Sequence, residues 1–169
     1  MKEYPTIRDA VGFVFDVLDG AREPIAAAVR AVWAEAGDVL VLDHYTTSVD
    51  VGAFPVLMVD QRTFSSDWEA MSEMGPVVRC DASMYVWGLI HHDDPRTRAQ
   101  ALGELEAATR HAVTLHHRAT LTRSGMSVYF HERAPIGAAT FGASQMSTTF
   151  VAAFFATVTA SMTYHVGPE

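Results

Sequence analysis

Cysteine is almost absent from this sequence, and positively charged residues are scarce. Cys80 is the only cysteine, so the chain forms no internal disulfide. Its 12 Lys and Arg stand against 20 Asp and Glu, which gives a formal net charge of −8. Because a general nucleic-acid binder needs clustered Lys and Arg for the phosphates, this balance argues against one. The start of the sequence lacks a basic segment followed by an apolar one, so we expect no signal peptide.

Long apolar runs are also missing. A membrane-spanning helix needs about 20 strongly apolar residues. The stretch that comes nearest, residues 148–164, is interrupted by threonines, and its apolar members include several alanines. The same stretch alternates and contains Thr, Val and Phe, which favour a sheet. We therefore predict a long final strand over residues 147–166 instead of a membrane helix.

Hydrophobic periodicity predicts both helices and strands. Residues 6–36 repeat apolar side chains at spacings of three and four, which predicts two helices broken at Asp19-Gly20. Residues 76–90 alternate, which is typical of a long antiparallel strand with one wetter face. Shorter strands are predicted at 39–42, 54–59 and 126–131, a long helix follows Pro95, and residues 61–76 are predicted as a polar connection.

These elements predict one α+β domain that spans residues 1–169. The helical region 6–36 comes first, and the sheet and long helix occupy residues 38–166. We expect an antiparallel sheet of about four to five strands with helices packed on one face. A chain of 169 residues, 49 % of them apolar, suffices for one such core.

The second face of the predicted sheet carries aromatic side chains. Tyr85 and Trp87 fall on the wetter side of the strand at 76–90. The alternation of the last strand adds either Phe150 and Phe154 or Phe155, and the pattern leaves this choice open. A half-polar, aromatic face of this kind is often an interface between subunits.

The most conspicuous candidate for metal or acid–base chemistry is the run His91, His92, Asp93 and Asp94. Adjacent strand residues point to opposite faces, so both histidines serve one ion only if they lie in a loop. The other interpretation is a helix start, in which Asp94 is the cap and Asp93 adds charge near the positive helix end. We predict the cap, and a metal site that uses the two histidines, Asp93 and His131 stays open.

Motifs of known catalytic sites are missing from the sequence. It contains no HExxH, no GxSxG and no phosphate-loop signature. We therefore predict no catalytic, cofactor-binding or metal-ligating residue, and we expect that the chain is not an enzyme.

Four stretches carry a resemblance to a known family. They are the helix "IRDAVGFVFDVL", the strand "FPVLMV", the strand "MYVWGLIHHDD" that leads straight into "PRTRAQALGELEAATRHAVTL", and the closing "FVAAFFATVTASMTYHV". Together they span most of the chain. Their layout resembles the tail terminator proteins of long-tailed bacteriophages, and the Ala- and Arg-rich composition resembles an actinobacterial siphophage. The break at Asp19-Gly20 and the longer segment at 61–76 depart from the family pattern.

The resemblance implies a structural virion protein at the head–tail junction, assembled in the host cytoplasm. Such proteins form a ring, usually of six copies, that caps the tail tube and ends its growth. The ring also joins the tail to the head-completion or stopper protein of the neck. DNA passes through the lumen without sequence-specific binding, and neither a cofactor nor a membrane is involved. Another neck or tail-completion component, a small metal-binding enzyme and a dimeric ligand-binding module with a pocket between sheet and helices are the alternatives.

Two further expectations follow from the ring. A charge of −8 per subunit gives the ring a negative field, and acidic side chains at the lumen would keep DNA from sticking. The long, small or polar segments 43–52 and 133–147 are predicted to dock neighbouring rings and to order only on assembly.

Overall fold

The structure is a computed structural model that describes residues 5–52, 54–72, 75–116, 121–123, 126–130, 135–146 and 149–165. Within these ranges the chain forms three helices and seven strands. In chain order they are α1 (Ile7–Gly20), α2 (Arg22–Arg30), β1 (Leu40–Leu42), β2 (Val56–Ser72), β3 (Gly75–Ile90), α3 (Pro95–Leu115), β4 (Leu121–Arg123), β5 (Met126–Phe130), β6 (Thr140–Met146) and β7 (Thr149–His165).

The seven strands form one strongly curled sheet in the order β1-β2-β3-β7-β5-β4, with β6 also paired to β7. Only the β1–β2 pair is parallel among the described strands. On its far side β7 pairs with β6 along its first half and with β5 along its second half. The predicted α+β class is confirmed, and the sheet has more strands than the expected four to five because β4 and β6 were not predicted.

The two long predicted strands are confirmed almost to the residue. The strand predicted at 76–90 is β3, and the strand predicted at 147–166 is β7. They pair with each other from Val77 opposite His165 to Ile90 opposite Ala152. The strand predicted at 126–131 is β5, and its last residue, His131, lies outside the described residues.

The prediction of a polar connection over residues 61–76 is wrong. β2 continues to Ser72 and β3 begins at Gly75, so this segment is the far half of a long antiparallel hairpin. Residues 61–65 are all exposed, and an exposed strand has no apolar face to create the alternation that sequence patterns detect. The register shifts between Gln61 and Thr63, which leaves Arg62 as a bulge residue.

The helices cover one face of the sheet. A capping box starts α1, in which the Thr6 backbone N–H donates to the Asp9 carboxylate at 2.8 Å. Both α1 and α3 pack on the sheet, and α2 packs mainly against α3. Their apolar sides pack against one face of β2, β3 and β7 and form the main core with it. In this core the ring centroids of Phe13 of α1 and Phe130 of β5 lie 4.6 Å apart. The second helix ends at Arg30, so residues 31–36 form turns and irregular structure instead of the predicted helix.

A second, smaller core lies on the opposite face, at the end of the sheet where β2 and β7 begin. It is closed by Val49 and Val51, which are 9 % and 3 % exposed. The other buried members are Val56, Met58, Leu89, Met146, Val151 and Ala153. Val49 and Val51 thus pack into a core within a single copy. The prediction that segment 43–52 orders only on assembly is wrong for these two residues.

The same prediction is wrong for the described part of segment 133–147. Residues 140–146 are strand β6, and Ile136 forms a β-bridge with Val158. The Gly137 N–H donates to the Thr157 carbonyl at 2.8 Å. Arg110 of α3 donates to the carbonyl oxygens of Ile136 and Gly137, at 3.4 and 2.9 Å. The sequence predicted a loop because Gly, Ala and Ser carry weak strand signals.

Candidate interaction surface

The face of the sheet that points away from the helices is the candidate functional surface. Alternation along β3 places Tyr85 and Trp87 on it, and the register places Phe155 directly opposite Trp87. The sequence left open whether Phe155 or the pair Phe150 and Phe154 shares this face. The structure assigns Phe155, because Phe154 is 1 % exposed and lies in the main core. The side chain of Phe150 lies outside the described part of the chain.

Four rings form what we call the aromatic patch: Tyr45, Tyr85, Trp87 and Phe155. Ring centroids lie 4.9 Å apart for Trp87 and Phe155, and 5.3 Å apart for Tyr85 and Phe155. Tyr45 reaches the patch from the segment after β1, and its ring centroid lies 5.3 Å from that of Trp87. These are normal separations for attractive aromatic pairs.

Arg62 extends the patch across β2. Its guanidinium carbon lies 4.7 Å from the Tyr85 ring centroid, and its Nη1 donates to Thr157 Oγ1 at 3.2 Å. The bulge at this residue turns the side chain onto the aromatic face. Sequence analysis missed Arg62 and Tyr45, since one depends on a bulge and the other on how a loop folds back.

Trp87 carries an unusual polar group. Its indole Nε1 is buried, and no acceptor in the described part of the chain bonds to it. A buried donor without a partner costs about 1–3 kcal/mol. The fold therefore holds this indole in place through its apolar ring contacts alone, without help from a hydrogen bond inside the described chain.

Beyond the aromatic patch the same face becomes polar. Ser161 Oγ donates to the carboxylate of Asp81, and Arg79 Nε lies 3.4 Å from the same carboxylate oxygen. Ser161 is fully buried although it is polar. The open face thus has an aromatic end next to β1 and a polar end towards the tip of the hairpin.

The structure resolves the His91–Asp94 question in favour of the helix cap. Asp94 is the N-cap of α3, and its carboxylate accepts from the Thr97 N–H at 2.8 Å and from the Thr97 hydroxyl at 2.6 Å. These bonds, the hydroxyl first, lower the pKa of Asp94 below its ordinary value. The Asp94 cap predicted from the sequence is confirmed.

The two histidines do not converge. His92 Nδ1 accepts from the Asp94 backbone N–H at 3.0 Å, and its ring lies edge-on to Trp33 at 5.3 Å. His91 Nε2 lies 4.0 Å from an Asp93 oxygen. Among the described residues no three His, Cys, Asp or Glu side chains are grouped closely enough to hold a metal ion. His131, the fourth residue of the hypothetical metal site, lies outside them.

A groove of about 560 Å³ lies among the helices, where the end of α1 and α2 meet α3. It is mostly apolar, with Glu104, His111 and His116 as its polar members. The ligand-binding alternative places a pocket between sheet and helices, whereas this groove lies within the helical layer.

The chain matches no known family model, and no curated protein is similar to it in sequence. The resemblance to tail terminators therefore depends on the layout of its elements. None of the helices described is both long enough and apolar enough to cross a bilayer.

Proposed function

We propose that this chain is a structural virion protein, a tail terminator of a long-tailed bacteriophage. Copies of it, six in this proposal, form a ring on the finished tail tube. The ring ends tube growth and presents a surface to the head-completion protein. DNA passes through the lumen without sequence-specific contacts, and the chain acts by binding its neighbours without catalysing a reaction.

One observation carries the proposal: a sheet face without a helix on it, where the half-buried aromatic patch and Arg62 lie beside the small core that Val49 and Val51 close. The helices of the described chain all belong to the other side of the sheet. Trp, Tyr and Arg are the residue types most enriched where protein interfaces are strongest. Arg79 and Asp81 continue the face as a polar margin, and an apolar centre with a polar margin is the usual anatomy of an interface.

A different neck or tail-completion protein would use the same kind of surface. In this proposal the terminator is the component that ends tube growth, so tube growth with and without the chain separates the two. The metal-binding enzyme requires His91, His92 and Asp93 to face one ion, whereas His92 Nδ1 already accepts a backbone N–H. Stoichiometric zinc or iron in the purified protein, lost in His92→Ala, would support that enzyme and oppose the terminator.

Assembly of tail tubes in vitro tests the proposal. The matching tube protein is polymerised on tail initiators with and without the purified chain, and tube lengths are measured by electron microscopy. We expect one uniform length and a ring at the tube end when the chain is present. Tubes of the same mixed lengths with and without the chain would contradict termination.

A matched pair of variants ties the activity to the aromatic patch. Tyr85→Asp places a charge inside the patch, and Ser83→Asp places the same charge on the same strand and face, two residues outside it. We expect Tyr85→Asp to lower capping at least tenfold, because a desolvated charge at the centre of an interface costs more than 1.4 kcal/mol. Ser83→Asp should cap nearly as well as the unmodified chain. Equal capping by both variants would show that the patch is not the docking surface.

A further inference from the structure

We propose that strand β6 of one copy pairs with strand β1 of a second copy, so that their sheets join edge to edge. This inference rests on the proposed ring and names the contact that builds it. Ring subunits need two different, complementary surfaces, since the same patch on both partners gives a closed dimer instead. The free edges of β6 and β1 provide such a pair.

The β6 edge lacks the usual protection of an edge strand. Proteins protect exposed edges with lysines, prolines, bulges or a covering element. Residues 136–164 contain no Asp, Glu, Lys, Arg or Pro, so neither β6 nor β7 has a charge or a proline to prevent pairing. β6 pairs with β7, and no strand of the described chain lies on its other side. An uncharged edge of this kind is suited to accept a further strand.

Exposed small and aromatic side chains along β6 support the same conclusion. Phe141 is 54 % exposed although it is large and apolar. Thr140, Gly142 and Ala143 are exposed as well, and small side chains let a second backbone approach closely. A partner strand at this edge would bury the Phe141 ring and leave the β6–β7 pairing intact.

Strand β1, which ends the sheet beside β2, provides the matching free edge. It pairs with β2 over three residues, from Leu40 opposite Val56 to Leu42 opposite Met58. No strand of the described chain lies on its other side, and Leu40 is 38 % exposed. Like β6, the short strand β1 carries no charge.

The register places the two free edges at the same level of the sheet. Gly142 lies opposite Ala153, which lies opposite Leu89 of β3. Leu89 in turn lies opposite Val56, which pairs with Leu40. Rotation about an axis along the strands therefore brings Gly142 of one copy level with Leu40 of the next.

Strand direction also fits. β2, β3, β7 and β6 alternate in direction, and β1 runs parallel to β2. β6 and β1 thus run in opposite directions, and after that rotation they meet as an antiparallel pair, which is the geometry of most of this sheet. The occupant of the β6 edge is therefore a second copy of this chain.

Disulfide trapping tests this contact. Leu40→Cys and Gly142→Cys are combined in one chain, and the pair Leu40→Cys and Ser144→Cys covers a register shift of two residues. A Cβ added at Gly142 meets no atom within 4 Å, and the native Cys80 is buried. After mild oxidation at high protein concentration, we expect a double variant to form a ladder of covalent oligomers beyond the dimer. Each single variant and the unmodified chain should stay monomeric.

Two results would overturn the inference. A covalent dimer from Gly142→Cys alone would show that β6 pairs with β6 across a twofold axis. Double variants that stay monomeric, like the unmodified chain, would show that these edges do not meet.

A charge added to the β6 edge tests the strand contact independently of the proposed function. Ala143→Lys adds a charge to the β6 edge, and Ala34→Lys adds it to an exposed turn outside both edge strands. We expect Ala143→Lys to lose ring assembly and tube capping while it folds normally, and Ala34→Lys to retain both. If Ala143→Lys still caps tubes, the edge contact is wrong and the terminator function stands. If the double variant forms the covalent ladder but the unmodified chain never limits tube length, the edge contact stands and the terminator function fails.

Discussion

Gly88 shows, at the scale of single residues, how the two faces of the sheet depend on one another. A Cβ at Gly88 would lie 2.1 Å from Phe154 Cε1, so the ring of Phe154 occupies the space that a side chain would need. Phe154 fills the main core, and its neighbour Phe155 points to the open face. The glycine therefore fixes the packing behind the aromatic patch.

Gly88→Ala should destabilise the fold by about 1–3 kcal/mol, because the added methyl group overpacks the core against Phe154. Gly103→Ala is the matched control, since a Cβ at this position of α3 meets nothing within 4 Å. That control should stabilise the protein by about 0.5–1 kcal/mol. Chemical denaturation measures both. Equal effects of the two variants would show that the close packing at Gly88 is wrong.

Asp94 should give the stability of the protein a specific dependence on pH. Its pKa is lowered in the folded state by the bonds from Thr97, so its contribution is fully present above the ordinary value of 3.8 and is lost as the pH falls through the lower folded value. Asp94→Ala should lower the Tm by roughly 2–4 °C at about pH 6, and the difference should shrink as the pH falls below the ordinary value of 3.8. Asp94→Asn, which caps without titrating, is the control. A difference for Asp94→Ala that does not change with pH would contradict this role.

The Asp94 cap could be predicted from sequence because capping is local: the acceptor and the donor at Thr97 lie within one turn. The aromatic patch could be predicted only in part. Alternation along β3 predicted that Tyr85 and Trp87 share one face. Whether Phe155 or Phe154 joins them depends on which side of β7 faces the helices, and the alternation does not decide this. Arg62 was not predictable, since a bulge leaves no mark in the hydrophobic pattern.

At the scale of elements, the long hairpin and β6 show where pattern recognition fails. The hydrophobic pattern predicted where β3 and β7 begin and end, because one side of each strand is buried. Residues 61–65 of β2 and all of β6 except Met146 are exposed or half-exposed, so alternation carries no signal there. Their positions are set by pairing with partners distant in sequence, which no local window contains.

Arg110 holds the segment before β6 in place. It bonds to Glu106 on its own helix and to the carbonyl oxygens of Ile136 and Gly137. Arg110→Lys keeps the charge but loses the planar fork of donors, so we expect faster hydrogen exchange in residues 135–146, by about tenfold if one net hydrogen bond is lost. Exchange in β3 should not change, which serves as the internal control. Unchanged exchange in residues 135–146 would show that Arg110 is not the anchor.

At the scale of the whole molecule, the charge of −8 favours a protein that DNA passes without binding. We expect the purified chain not to retain duplex DNA at about 50 mM salt, where phosphate contacts are strong. A gel-shift assay measures this, with a basic DNA-binding protein as the positive control. Retention that weakens steeply with added salt would indicate a basic surface and contradict the proposed acidic lumen.

The class of fold was predictable because element order and periodicity act over the whole chain. How the chain assembles was not, since sheet order decides which edges remain free. The order β1-β2-β3-β7, with β6 beyond it, places two uncharged edges at one level, and nothing in the order of the sequence indicates this.

Gold labelling of the chain in intact tailed particles tests the terminator assignment most directly. Particles carrying a tagged copy are labelled and imaged by electron microscopy. We predict label at one position only, the junction of tail and head, with a ring of density at the end of the tube. Label along the tube, label at the distal tip, or particles that contain none of the chain would contradict the assignment.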